Sequence, residues 1–385
     1  MYMLDKALIG SRKYWSWLAF LLLLVVVGFA CYCWQLVYGL GITGMSRDIS
    51  WGIYIGQFTF FVGIAASAVM VVLPYYFHDV KEFGKITILG EFLAIAAVIM
   101  CMLFIFVDMG QPARVLNVLL YPTLHSMMFW DMISLGGYLL LNAVIAAVML
   151  DCEYKHVKPA RWVYIVVIVS VPWAISIHTV TAFLYNGLPG RSLWLTAILA
   201  PRFLASAFAS GPSLLILLCL LLRRLTSFDA GSEAIRKLGI VVAYAMSLNV
   251  FFLLLELFTA IYSHIPEHGA PFRYLFFGLE GKHPLVPVMW LSVVMAVIAL
   301  VALLVPALRN DRRILVVAAA LVFGSLWLDK GMGLIVAGFV PSPLGHVTAY
   351  MPTAPELAIV VGVWAIGALI LTVFYKIVTS VREAA

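Results

Sequence analysis

The sequence predicts an all-α integral membrane protein with ten transmembrane helices and cytoplasmic N- and C-termini. Composition is the first observation. Of 385 residues, 64% are hydrophobic and 11% charged, with a mean hydropathy of +1.08. A soluble domain is about 45–50% apolar and about 25% charged. The second is a set of ten apolar runs, at 15–40, 51–77, 86–108, 127–150, 162–187, 203–222, 238–263, 285–308, 313–338 and 355–379. Each approaches or exceeds the length of about 20 residues that a spanning helix requires. The third is the placement of Lys and Arg. With the N-terminus inside, 17 of the 24, from Lys6 and Arg12 through Lys155 to Arg382, fall on the inner side. The other 7 (Arg47, Arg114, Arg191, Arg202, Arg273, Lys282, Lys330) fall outside or at outer helix ends, as the positive-inside rule requires.

Taken in order, the run at 15–40 is too long for the core of a cleavable signal peptide and reads as a retained helix. Residues 51–187 supply four helices and 203–338 four more. The expected layout is two four-helix bundles flanked by peripheral helices at 15–40 and 355–379. Connections are short, the longest outer one being about 263–284, so a water-soluble redox module is expected on another chain. The net charge of +6 comes from these short loops and is topology charge; no nucleic-acid partner is expected. The five cysteines form no CxxC and no iron–sulfur, haem-attachment or zinc pattern, so no metal is expected. Only His178 lies well inside an apolar run, where haem b needs paired histidines. A chain without haem or iron–sulfur cluster follows.

The stretch Phe106 to Asp131 organises the rest. It has a carboxylate at each membrane boundary (Asp108, Asp131), Arg114 between them, and a Gly110-Gln111-Pro112 turn. Other polar groups crowd the same outer half: Trp51, Tyr54 and Gln57; His178, Tyr185 and Asn186; Glu256 and His264; Asp329 and Lys330. Glu91, near the inner end of the third run, is the exception. Ionisable groups beside lipid are costly and mark ion, proton or ligand sites. Together these suggest a polar, partly wet cavity opening outward; singly, each also reads as a helix-end group reaching water or pairing. Asp329 and Lys330 would point about 100° apart on a regular helix, and Gly331 and Gly333 allow it to loosen. A quinone ring needs hydrogen-bond donors at its carbonyls and a route for protons, which carboxylates and a histidine provide. His178 has two readings, a ligand to a carbonyl or a side chain bonded back into the bundle. Trp51, Met127 and Trp130 either line a ring pocket or anchor the interface.

DMGQPAR at 108–114, SMMFWD at 126–131, WGIYIG at 51–56 and SIHTVTAFLY at 176–185 resemble the NrfD-like, polysulfide-reductase membrane-subunit family. DKGMGLIVAGFVPSPLG at 329–345 resembles its ten-helix branch, found with hydrogenase-2 and with a sulfite-reduction-associated complex. The likeness covers most of the chain. It implies a cofactor-free subunit of the cytoplasmic membrane that takes menaquinone or ubiquinone as substrate, menaquinone being preferred, in dissimilatory sulfur metabolism. It implies an extracytoplasmic iron–sulfur, ferredoxin-like partner and further membrane, cytochrome or reductase subunits. Carried over by motif, the quinone site lies in the first bundle. Asp108, Asp131 and His178 are expected to act chemically there, with Arg114 and Ser126 carried over beside them and Tyr185 matching the motif less closely; Trp130 and Gln57 join as ring-holding candidates from their place in the outer half, not from the motif. Glu256, Asp329 and Lys330 are candidates for a proton path in the second bundle. The alternatives are the membrane subunit of a quinone-linked hydrogenase, a secondary transporter, and a purely structural anchor.

Overall fold

The computed structural model describes residues 8–78 and 80–384. Lys6, counted above with the inner charges, lies outside them. Ten helical stretches are long and apolar enough to cross a membrane. They run Arg12–Ile42, Ile53–Phe77, Lys81–Asp108, Met127–Lys155, Arg161–Asn186, Leu199–Leu225, Ser232–Tyr262, Val286–Leu304, Arg312–Ala337 and Ala354–Arg382, and are numbered here as spans one to ten. Each overlaps one apolar run of the sequence. Regular structure among the described residues is otherwise an eleven-residue helix at Pro266–Phe276 in the loop after span seven, a few short helical turns and one isolated bridge between Leu279 and Lys282.

Local chemistry sets several ends. Ser11 Oγ accepts the amide of Tyr14 at 3.3 Å and starts span one. Asp311 Oδ1 accepts the amides of Arg313 (2.7 Å) and Ile314 (3.3 Å) and starts span nine. Both satisfy N-H groups that a helix start leaves open. Span ten begins with half of a capping box: Glu356 reaches back to the amide of Thr353 at 2.7 Å.

Two spans are interrupted. Span two is helical over Ile53–Ala65 and Val69–Phe77, with a turn between. Span nine passes from α-helix to a π-helix at Asp329–Gly333 before resuming at Leu334–Ala337. The loosening expected from Gly331 and Gly333 is therefore a π-helical turn. A side chain on Gly56 would run into the Gly331 carbonyl, so this glycine lets span two lie directly against the π-turn.

Spans two and three form the centre: 78% of their most apolar windows are buried, against 22% for spans one and eight. A helix apolar all round belongs in such a place. Span two packs on spans three and six and on the π-turn, span four on spans three and five, span six on spans seven and nine, and span eight on span nine. Span one lies along span ten, which also touches span three.

Side-chain links sort the loops onto two faces. On one, Arg382 joins Glu153 (2.6 Å) and the Lys85 carbonyl (2.6 Å), and Lys237 meets Glu82 (2.9 Å). On the other, Ser192 donates to the Glu267 carbonyl (2.6 Å), Thr348 to Asp48 (3.1 Å), and Arg191 lies over the Phe339 ring. These are the inner and outer faces of the positive-inside reading.

Candidate functional site

Spans two, four and five bring their polar side chains together just below the outer face. On span five, His178, Thr181 and Tyr185 recur at helical spacing and share one inward stripe. All three have no exposed surface. Thr181 Oγ1 lies 2.6 Å from Asp131 Oδ1 of span four and 2.7 Å from the Ile177 carbonyl, so its single proton is shared. The Tyr185 hydroxyl is hydrogen-bonded to Thr59 Oγ1 of span two. Tyr185 is also within electrostatic reach of both Asp131 and Asp108. Asp131, His178 and Tyr185 thus border one buried region, with Asp108 farther off at the end of span three.

That region is packed rather than open. The expectation of a wet cavity is replaced by close contact, because aromatic rings close the top. Trp51 meets Tyr185, Trp194 and Phe339 at ring separations of 5.7, 5.8 and 5.9 Å. Trp194 is fully buried and donates to the Leu334 carbonyl at 2.9 Å. Trp51 is therefore an interior ring, while Trp130 is 42% exposed, donates to the Leu124 carbonyl and sits as an interfacial anchor. The back-bonded reading of His178 fails: neither ring nitrogen has a partner among the described residues. A buried donor or acceptor left alone costs about 1–3 kcal/mol.

The remaining sequence candidates scatter. Asp108 Oδ1 is buried without a partner. Arg114 is exposed on a short turn and makes no ion pair with Asp108, because that turn carries it out to water. Ser126 precedes span four, half-buried, and makes no capping bond. Gln57 faces away from Thr59 and Tyr185. Its Oε1 accepts from Trp327 (2.9 Å) and Trp364 (3.0 Å), and its Nε2 has no partner.

In spans six to nine the picture is different. Glu256 and Asp329 are both held by Arg202, at 2.5 and 2.8 Å. All three are mostly buried. The sequence reading placed Arg202 among outer charges and missed this role; its position inside a long apolar helix, where a charge needs a counter-charge, was the available signal. Lys330 points elsewhere. Its Nζ has no hydrogen-bond partner among the described residues, sits 4.1 Å from the centre of the Phe203 ring, and lies within electrostatic reach of His178 and Cys101. The adjacent Asp329 and Lys330 thus point in different directions from the π-turn, Asp329 to Arg202 and Lys330 over Phe203.

A second network went unread in the sequence. Fully buried Glu356 accepts from the Tyr350 hydroxyl (2.9 Å) and the Gly44 amide (2.7 Å), and Tyr350 accepts from the Ile53 amide (2.8 Å). Burial, then the Glu356 carboxylate, pushes the Tyr350 phenol above its ordinary range and keeps it a donor. Beside it, Gln35 accepts from Tyr54 (2.8 Å) and donates to the Val107 carbonyl (2.6 Å), fixing the end of span three next to Asp108.

Several known proteins are similar to this chain over most of its length. The model of the family described as polysulphide reductase, NrfD matches residues 41–340. A protein of Halobacterium salinarum, named for the membrane component of a dimethyl sulfoxide reductase, is 28% identical, covering 92% of this chain and 89% of its own length. The Hdr-like menaquinol oxidoreductase integral membrane subunit of Archaeoglobus fulgidus is 24% identical over 97% of this chain and 95% of its own. The menaquinone reductase integral membrane subunit of Nitratidesulfovibrio vulgaris is 24% identical over 94% and 91%. With ten membrane-crossing helices and the family match over most of its length, the chain is a multi-pass membrane protein that belongs to the polysulphide reductase NrfD family.

Proposed function

We propose that this chain is the quinone-handling membrane subunit of a respiratory redox complex in the cytoplasmic membrane. It exchanges electrons between menaquinone and an iron–sulfur subunit docked on the outer face, in a complex of dissimilatory sulfur metabolism. One observation carries the reading: Asp131 of span four and His178 and Tyr185 of span five share a buried site in which His178 has no partner among the described residues. Two relatives are named for menaquinol or menaquinone chemistry, which supports the choice of quinone. The sulfur assignment rests on the likeness to the ten-helix branch.

A quinone carbonyl placed at His178 receives a hydrogen bond that the imidazole otherwise lacks. Asp131 then gives or takes the proton, with Thr181 orienting its carboxyl. Reduction takes two electrons from the outer partner and two protons; oxidation returns both. The ring reaches Asp131 from the bilayer through the seam of spans four and five. There the Trp173 ring packs over Gly137 and donates to the Ser134 carbonyl at 2.8 Å, so it has to swing aside for the ring to pass. Above, the loop before span four exposes Leu116, Leu120 and Tyr121 at 57%, 66% and 75%. That apolar surface suits cover by a partner.

The test is quinone-linked turnover in the purified complex. Asp131→Asn and His178→Ala should each lower it by about 10²–10⁴-fold, the range for a lost proton-transfer group, with assembly intact. Full activity in both variants sinks the assignment.

A further inference from the structure

Lys330 takes no part in the ionic cluster beside it. It is 4% exposed, and its Nζ has no hydrogen-bond partner among the described residues. Its chain neighbour Asp329 is turned to Arg202, which also holds Glu256. An ionisable group inside a membrane protein is costly and marks a ligand or ion site. The backbone nevertheless fixes this one firmly. Lys330 sits on the π-turn of span nine, a helical form frequent at functional positions. Gly56 of span two lies so close to that turn that no side chain fits between them.

The surroundings of the amine lead to His178. Nζ lies 4.1 Å from the centre of the Phe203 ring on span six, and a ring face supports a cation only in part. The same ring is 5.9 Å from the ring of Tyr185, so one aromatic layer joins Lys330 to the site. On another side stands Gly63 of span two. A side chain there would come 3.6 Å from Nζ and 3.3 Å from Ser210 Oγ, so span two offers the amine bare backbone. His178 of span five is within electrostatic reach of Lys330, has no exposed surface, and neither of its ring nitrogens has a partner among the described residues. Two buried polar heads from different spans thus border one region, and they do not bond to each other. An amine and an imidazole can both donate. A ligand that satisfies both carries acceptor oxygens at its two ends. The neighbouring surface of Phe203, Gly63 and Ala207 is apolar, which suits a flat carbon ring between those oxygens. A 1,4-quinone has this form.

We propose that Lys330 is a direct ligand of the quinone, donating to the carbonyl oxygen opposite the one held by His178. This rests on the quinone reading above. The ring then lies between spans five and nine, and its two oxygens are held from the two groups of spans. The binding site is shared by both groups rather than built from spans two to five alone. The π-turn has a definite role in that arrangement: it sends Asp329 to Arg202 and Lys330 to the substrate. Because the second carbonyl is read directly, the site selects para-quinones over ring compounds that carry a single oxygen.

The experiment uses the intact complex in detergent, with binding followed by tryptophan fluorescence. The probes are 2,3-dimethyl-1,4-naphthoquinone and 1-tetralone, a related bicyclic ring with one carbonyl. The wild type should bind the quinone about tenfold tighter, the worth of one hydrogen bond from a buried donor. Lys330→Met should lower quinone affinity by about the same factor and leave tetralone nearly unchanged, so the preference disappears. Lys330→Arg, which keeps a donor, should retain much of it. If Lys330→Met fails to assemble, Lys330→Gln decides, with a partial loss of preference expected. A wild type that binds both probes equally, an assembled variant that keeps the full preference, or one that loses both probes alike overturns the role of Lys330 and leaves the quinone reading standing. A wild type that binds neither probe overturns the quinone reading itself.

Discussion

Spans two to five and spans six to nine both bury ionisable side chains in the outer half, but they treat them in opposite ways. In the second group, Arg202 neutralises Glu256 and Asp329 in one ionic cluster. In the first, His178 and Asp108 keep atoms with no hydrogen-bond partner among the described residues, and Lys330 reaches from span nine toward His178 with no hydrogen-bond partner among them either. The second group offsets the cost of burial by pairing, and the first does not among the described residues. The comparison changes the reading of the second group. Glu256 and Asp329, expected as stations of a proton path, are tied up by an arginine that stays charged, and the structural role fits them better.

The largest effect that would break this contrast lies at Arg202. Arg202→Met leaves two facing carboxylates with no counter-charge and should cost about 3–5 kcal/mol of stability. Thermal melting in detergent measures it. Adding Glu256→Gln and Asp329→Asn should recover much of the loss, because the charges are then removed together. If Arg202→Met melts like the wild type, the cluster is not what holds these spans.

His178 should behave the other way. His178→Leu removes two unsatisfied nitrogens from a buried site at similar volume, so melting should stay level or rise by about 1–2 kcal/mol while turnover is lost. A variant both less stable and still active would place His178 with the structural residues.

The sequence disclosed the architecture because the bilayer leaves few options: hydrogen-bonded helices of a set length, with basic loops inside. All ten spans fall where the apolar runs lie. Pairing was less legible, since it depends on how helices cross. Arg202 could be seen as a buried charge, yet not that it would take both Glu256 and Asp329. Trp51 and Trp130 occupy equivalent boundary positions in the sequence, and only packing makes one an interior ring and the other an anchor. The π-turn was signalled by Gly331 and Gly333. The break in span two was not, because Ala66, Ser67 and Ala68 contain no glycine or proline to mark it. His178 was placed correctly inside its span, but its lack of a partner is a property of the surroundings and could not be read from one helix.

Lys330 sharpens the contrast further, since it belongs to one group of spans by chain and faces the other by side chain. Lys330→Met keeps an unbranched apolar side chain and removes the ammonium that sits over the Phe203 ring. Coupling of a unit charge to the site at protein-like screening is worth about 1–2 kcal/mol, so turnover should fall on the order of tenfold with no loss of stability. An unchanged rate would detach Lys330 from the site and return it to the second group.

The smallest expected effect tests whether the first group's hydrogen bonds position the site or merely hold it together. Tyr185→Phe removes the hydroxyl shared with Thr59 and leaves the ring among Trp51, Trp194 and Phe203. A neutral hydrogen bond is worth about 0.5–1.5 kcal/mol net, and the aromatic packing is untouched, so melting should shift only slightly. Thr59→Val deletes the other partner and should give a shift of similar size, with the double variant adding little, because the two changes remove the same bond. Turnover separates the roles. If Tyr185 only braces span five against span two, both single variants lower the rate alike. If the phenol also contacts the ring of the substrate, Tyr185→Phe raises the quinone KM beyond what Thr59→Val does, and that excess is the part of its role that packing cannot supply.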